Sequence, residues 1–156
     1  MRAAESLDLP EIPGLRPWVW TVWLLAPAVA FWGSAHLGLG LAAPTPTRLL
    51  MSLLVAPLVE EWVMRQLLQR ELLAWGRARG VAGWPADGLA AIFTTLGFAL
   101  IHLPQASPAG LLACSPRLLP GAALALVWCW RRRWQDSALS HAYFNLLLWL
   151  IGALAS

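Results

Sequence analysis

Long apolar stretches, separated by short polar or proline-containing segments, dominate this chain. A helix that spans a lipid bilayer needs about 20 mainly apolar residues. The pattern predicts helices over residues 18–39, 49–68, 89–103, 118–130 and 138–155. The sequence therefore predicts an all-α fold, a polytopic transmembrane bundle of about five spanning helices.

Helix-breaking residues set the predicted boundaries. The prolines in residues 43–47 separate the first two helices, and a polar, glycine-rich connection occupies residues 76–88. The second helix can continue through residues 69–75. Pro104 stops the third helix, and the fourth can begin as early as Ala109. Because residues 103–117 are irregular, four or six spanning helices remain alternatives.

The arginines predict how the chain lies in a membrane. Residues 1–17 form an N-terminal tail, and residues 18–156 form one domain. Arginines are concentrated in the tail, in residues 70–79 and in residues 131–133, which all fall on one side of the predicted membrane. Positive charge favours the cytoplasmic side, so we expect a cytoplasmic N-terminus and a C-terminus on the opposite side of the membrane. Residues 18–43 are interpreted as a retained helix, with a cleaved signal peptide as the alternative.

Composition supports the membrane interpretation and excludes other classes. The chain is 59% hydrophobic and 12% charged, whereas soluble domains average about 45–50% and 25%. All basic residues are arginine, and the net charge of +3 lacks the clustering on a polar surface that nucleic-acid binding requires. Cys114 and Cys129 form neither a disulfide framework nor a zinc spacing.

Three charged residues interrupt the second predicted helix. Each costs roughly 2.5–3.5 kcal/mol to insert at the centre of a membrane helix, so such residues usually serve a function. Glu61 and Arg65 lie four residues apart, acid first, which favours an ion pair within the helix. Glu60 points about 100° away and has no obvious local partner, which suits a general base or acid. The alternative is a solvated face at the membrane edge.

Two further predicted helices carry polar residues at a spacing of four. Phe98 and His102 share one face of the third helix, and His141 and Asn145 share one face of the fifth. Packed histidines and inter-helix hydrogen bonds are the simpler explanations of each pair. However, together the three helices supply a carboxylate, two imidazoles and an amide, which are the groups that peptide hydrolysis needs. His36 has no such partner and is interpreted as structural.

The ordered set EExxxR, FxxxH and HxxxN resembles the CPBP family. The residues are Glu60-Glu61 with Arg65, Phe98 with His102, and His141 with Asn145. That family contains CAAX prenyl endopeptidases and bacteriocin-processing and immunity proteins, and its members are intramembrane glutamic proteases. The resemblance covers residues 47–156 and implies a minimal core of that fold, similar to the small bacterial, myxosortase-like members.

The resemblance implies a role for each residue. Glu60 and His102 would activate a water molecule, and His141 and Asn145 would stabilise the oxyanion. Glu61, Arg65 and Phe98 would support them. The predicted boundaries, however, place His102 about 10 Å nearer the outer end of the bundle than Glu60.

The cofactor and the substrate follow from the same resemblance. No cofactor is implied, but zinc held by Glu60, His102 and His141 is an alternative, although no HExxH pair exists. The expected partners are the lipid bilayer and a membrane-anchored protein or peptide, for example one with a C-terminal sorting signal. A non-catalytic immunity or peptide-binding protein and a small proton-conducting transporter are the competing interpretations.

Overall fold

The structure is a computed structural model that describes residues 45–102 and 117–155 and the single positions 25, 29, 107, 109 and 110. Regular structure in these residues is helical, and they contain no strand, which confirms the predicted all-α class. The predicted tail 1–17, most of the predicted helix 18–39, His36 and Cys114 lie outside the described residues.

The first described helix, α1, covers residues 46–78 and alternates between α-helical and π-helical geometry. Its α-helical segments are Pro46–Leu50, Ala56–Glu61 and Arg70–Ala78, and its π-helical segments are Met51–Val55 and Trp62–Gln69. The predicted helix over 49–68 is therefore present and extends further at both ends. The sequence pattern did not predict the π-helical segments.

The π-helical geometry keeps one stripe of side chains inside the bundle. Buried positions on α1 recur every four residues, at Pro57, Glu61, Arg65, Gln69 and Leu73. In an α-helix of about 3.6 residues per turn, a step of four residues overshoots a full turn by about 40°. A π-helix has about 4.4 residues per turn, so the same step falls short by about 30°. Alternating segments cancel these rotations and hold the five positions on one face.

Three more helices complete the described part of the chain: α2 (Trp84–Ile101), α3 (Leu118–Arg131) and α4 (Trp134–Ala155). The predicted boundaries of α3 are correct to one residue. The predicted start of α2 at residue 89 is wrong, because Gly83, at a φ of 62°, and Pro85 begin the helix at Trp84. The predicted start of α4 at residue 138 is also late by four residues.

Successive helices run antiparallel. The α1–α2 turn closes with hydrogen bonds from Gly80 N–H to Arg77 and from Val81 N–H to Gly76, with Gly80 at a φ of 81°. At the same end of the bundle, Arg132 at the α3–α4 turn pairs with Asp87 near the start of α2 at 2.8 Å. Both short connections thus lie at one end, and the start of α1 and the end of α2 lie at the other.

The interior of the bundle is small and polar, and its exterior is apolar. The buried face of α2 consists mainly of alanine and threonine, which allows close helix packing. Glu61, Arg65, Gln69 and Thr94 are fully buried in the centre. Large apolar side chains point outward instead, and examples are Leu58, Trp62, Leu67, Ile92, Phe93 and Leu100. An outer surface of this kind is typical of a protein that faces lipid.

By length and composition, α2 is the helix in the described residues that is suited to crossing a membrane. The α3 helix is apolar but shorter. The predicted count of five spanning helices is not confirmed.

Candidate active site

Glu60 on α1 lies between two imidazoles that come from different helices. Its Oε1 is 3.8 Å from Nε2 of His102 at the end of α2, and its Oε2 is 3.9 Å from Nε2 of His141 on α4. The Oε2 atom is buried and has no hydrogen-bond partner among the described residues. These separations exceed a direct hydrogen bond, but each of them can be spanned by a bridging water molecule.

Glu61 is fully buried, in the centre of the bundle. Its Oε2 pairs with Nε of Arg65 at 2.7 Å, as the four-residue spacing predicted. Its Oε1 contacts Nδ1 of His141 at 3.1 Å. Glu61 therefore joins the buried arginine to one of the two imidazoles.

The hydrogen bonds of the two histidines give their Nε2 atoms different chemistry. The Phe98 carbonyl lies 2.8 Å from Nδ1 of His102 and can only accept, so Nδ1 carries the proton. The neutral His102 ring then offers an unprotonated Nε2 toward Glu60. The carboxylate of Glu61 likewise requires a proton on Nδ1 of His141. His141 can therefore donate from Nε2 only as an imidazolium.

Phe98 forms the apolar side of the site. Its ring lies 4.8 Å from the ring of His102 and 5.6 Å, edge to face, from the ring of His141. The side chain is buried. Contact with both rings restricts their rotation and reduces the water around them.

Asn145 lies one turn beyond His141 on α4 and is bonded to the first π-helical segment of α1. Its Nδ2 donates to the backbone carbonyl of Ser52 at 2.7 Å. One turn further, Nε1 of Trp149 donates to Oγ of Ser52 at 2.9 Å. The second N–H of the Asn145 amide takes no part in this bond.

The predicted 10 Å offset of His102 does not occur. The ring of His102 folds back along α2 to reach the carbonyl of Phe98, four residues earlier, because side chains on a helix point toward its N-terminus. The ring thus lies about one turn deeper than the end of α2. The structure brings together Glu60, Glu61, Arg65, Phe98, His102 and His141, and attaches Asn145 next to them.

Several polar residues around the site were not among the predicted residues. Gln69 and Thr94 accept hydrogen bonds from Nη1 of Arg65 at 3.1 and 3.2 Å. Their polarity in apolar helices was a usable signal, and Gln69 also follows Arg65 by four residues. The carbonyl of Gly121, which accepts from Nη2 of Arg65 at 3.2 Å, has no signal in the sequence.

The zinc alternative fits this geometry poorly. Tetrahedral zinc with bonds of about 2.0–2.1 Å separates its ligand atoms by about 3.3 Å, which is less than the 3.8 and 3.9 Å between Glu60 and the two histidines. No group of three histidine, cysteine or acidic residues in the described parts of the chain has metal-binding geometry. We therefore derive no step through a metal ion.

Comparison with known proteins identifies the class of this molecule. Residues 42–147 match the family described as type II CAAX prenyl endopeptidase Rce1-like, which is a membrane-embedded protease family. The chain belongs to this family, and the match confirms the resemblance that the three motifs carry. The comparison with curated proteins gave no match, and neither did the comparison with solved structures.

Proposed function

We propose that this chain is an intramembrane peptidase that hydrolyses a peptide bond of a membrane-anchored protein or peptide. The observation that carries the proposal is the position of Glu60, whose carboxylate lies 3.8 and 3.9 Å from Nε2 of two histidines, distances that a bridging water molecule can span. Membership of a protease family supports the reaction class.

In the proposed reaction, Glu60 accepts one proton from the water, which Nε2 of His102 helps to orient by accepting a hydrogen bond. The water oxygen attacks the carbonyl carbon of the substrate and forms a tetrahedral oxyanion. The bond to nitrogen then breaks, and the proton held by Glu60 passes to the leaving amine. The products are an amine and a carboxylic acid, which then loses the second proton of the former water to the solvent, and Glu60 returns to its ionised state.

His141 and Asn145 are proposed to stabilise the oxyanion. His141 is proposed to donate from Nε2 when both of its ring nitrogens carry hydrogens, while Glu61 accepts from Nδ1. Asn145 donates through the N–H that is not bonded to Ser52. Fixed donors of this type each contribute roughly 2.7–4 kcal/mol in other hydrolases, because they are already oriented in a site that excludes water.

The proposed substrates end in a C-terminal segment next to the membrane. The family description names CAAX prenyl endopeptidases, which supports a C-terminal cleavage site. Removal of C-terminal sorting signals is the form that we propose, because the resemblance extends to small bacterial members with that role. The bundle is proposed to lie in the bacterial inner membrane, with its apolar exterior in contact with lipid.

Substitution of Glu60 by glutamine tests the proposal. Glu60→Gln keeps the shape of the side chain but removes the base, so we expect cleavage to fall at least about 10³-fold while the protein remains folded and inserted. The measurement is mass spectrometry of membrane-protein C-termini in cells that carry either version.

Glu71→Gln is the matched control, because Glu71 is an exposed acid on the same helix. This control should leave cleavage unchanged. A chain that acts as a binding or immunity protein would instead show the same phenotype with Glu60→Gln as with the native residue, and that result would reject the peptidase.

A further inference from the structure

Ser52 on α1 has a backbone carbonyl that the helix itself leaves without a donor. In an α-helix this carbonyl would accept from the N–H of residue 56, and in a π-helix from residue 57. The N–H of Ala56 instead donates to Met51. Residue 57 is proline, which has no N–H. The carbonyl of Ser52 therefore needs a partner from outside the helix.

Asn145 on α4 supplies that partner. Its Nδ2 lies 2.7 Å from the carbonyl oxygen of Ser52. This hydrogen bond is partly buried, and Pro57 is fully buried. An unpaired carbonyl in such surroundings costs free energy, and the bond to Asn145 removes that cost.

A second bond fixes the register of the same two helices. Trp149 lies one turn after Asn145, and its Nε1 donates to Oγ of Ser52 at 2.9 Å. Oγ of Ser52 in turn donates to the carbonyl of Leu49 at 3.3 Å. Ser52 thus receives two donors from α4, one on its backbone and one on its side chain.

We propose that Pro57 and Ser52 are positioning residues for Asn145, and that their effect on hydrolysis passes through the Asn145 amide. The inference rests on the proposed function and adds residues outside the three motifs. An amide nitrogen carries two hydrogens. When the Ser52 carbonyl holds one of them, the amide plane is fixed and the other hydrogen has a defined direction for the oxyanion.

Pro57→Ala is the decisive variant, because we expect it to lower activity without lowering stability. Alanine restores an N–H at position 57 that competes with Asn145 for the Ser52 carbonyl. We expect kcat to fall about 10-fold with KM within about twofold, since one donor is misplaced rather than lost. We expect the Tm not to fall, because proline in a helix interior is destabilising.

A double-mutant cycle with Asn145→Ala separates positioning from a general structural effect. Asn145→Ala alone should lower kcat about 100-fold. Adding Pro57→Ala to it should then change kcat by less than about twofold, because the amide is already absent. Pro85→Ala is the control, since Pro85 is exposed and lies in the first turn of α2, where no N–H is required.

The Tm values of the native chain, the two single variants Pro57→Ala and Asn145→Ala, and the double variant test the hydrogen bond between Asn145 and Ser52 without any substrate. Asn145→Ala should lower the Tm clearly in the native background and less in the Pro57→Ala background, where the new N–H satisfies the Ser52 carbonyl. Equal losses of Tm in both backgrounds overturn the proposal, as does an unchanged kcat in Pro57→Ala. If the native chain cleaves no substrate, the peptidase function is rejected. The four Tm values would still show whether the Ser52 carbonyl depends on Asn145 for its hydrogen bond.

Discussion

Arg65 is fully buried, and its guanidinium connects three helices. It pairs with Glu61 and bonds to Gln69 on its own helix, to Thr94 on α2, and to the carbonyl of Gly121 on α3. A planar fork with five donors can reach all of these acceptors at once, whereas an ammonium group cannot. We infer that Arg65 acts on the site indirectly, by holding Glu61 against His141.

Arg65→Lys keeps the charge but removes the fork. We expect the free energy of unfolding to fall by about 3 kcal/mol, because buried acceptors lose their donors. Arg70→Lys is the control on the same helix, where the side chain is exposed, and it should change the free energy of unfolding by less than about 0.5 kcal/mol. Denaturant unfolding in detergent micelles measures both variants. Equal stability of the two would show that the arginine network contributes little.

The sequence predicted which chemical groups form the site better than it predicted the hydrogen bonds between them. The spacing of Glu61 and Arg65 predicted their ion pair, because that contact is local to one helix turn. The bond between Glu61 and His141 joins residues 80 positions apart, and the bond between Asn145 and Ser52 joins residues 93 apart. Helix tilt and register determine such contacts, and a hydrophobic pattern contains neither.

At the scale of the helices, the packing of α3 against α2 controls the ring that touches both imidazoles. A Cβ atom placed at Gly121 would lie 3.2 Å from Phe98 and 3.6 Å from Thr95. Phe98 would have to move by a few tenths of an ångström. Because Phe98 contacts the rings of His102 and His141, that shift reaches the proposed water site.

Gly121→Ala should therefore destabilise the bundle, even though alanine favours a helix. Overpacking destabilises a core by about 1–3 kcal/mol, and the higher helix propensity of alanine stabilises by about 0.5–1 kcal/mol. We therefore expect the free energy of unfolding to fall by about 1 kcal/mol. We also expect slower hydrolysis. Gly88→Ala on α2 is the matched control, because open space surrounds that position. It should raise stability, and thermal unfolding of the two variants should shift in opposite directions.

Helix boundaries show where a pattern of apolar residues is informative and where it is not. The ends of α3 were predicted to one residue, since Arg131 stops the apolar run there. The start of α2 was predicted five residues late, because residues 84–88 look polar although Ala86 and Asp87 are buried. The π-helical segments of α1 accompany a four-residue spacing of buried positions on α1 itself, which an apolar pattern does not distinguish from an ordinary helical spacing.

At the scale of the whole molecule, most of the arginines and tryptophans in the described residues lie at one end of the bundle. The antiparallel order places the α1–α2 and α3–α4 connections together there. Trp75 stacks under Arg79 at 3.8 Å, and Arg131 pairs with Asp136 at 2.9 Å. Tryptophan prefers the interface between lipid and water, and arginine-rich connections prefer the cytoplasmic side. We therefore expect this end to face the cytoplasm.

Thiol labelling of the full chain tests that orientation. In a background with Cys114→Ala and Cys129→Ala, we would introduce Arg133→Cys at the arginine-rich end and Thr47→Cys at the start of α1, both at exposed positions. A membrane-impermeant maleimide should label Thr47→Cys in spheroplasts and Arg133→Cys only in inverted vesicles, because connections rich in arginine resist translocation. The reverse pattern would show that the bundle is inserted the other way. Labelling of both positions from one side would contradict the proposed passage of α1 through the membrane.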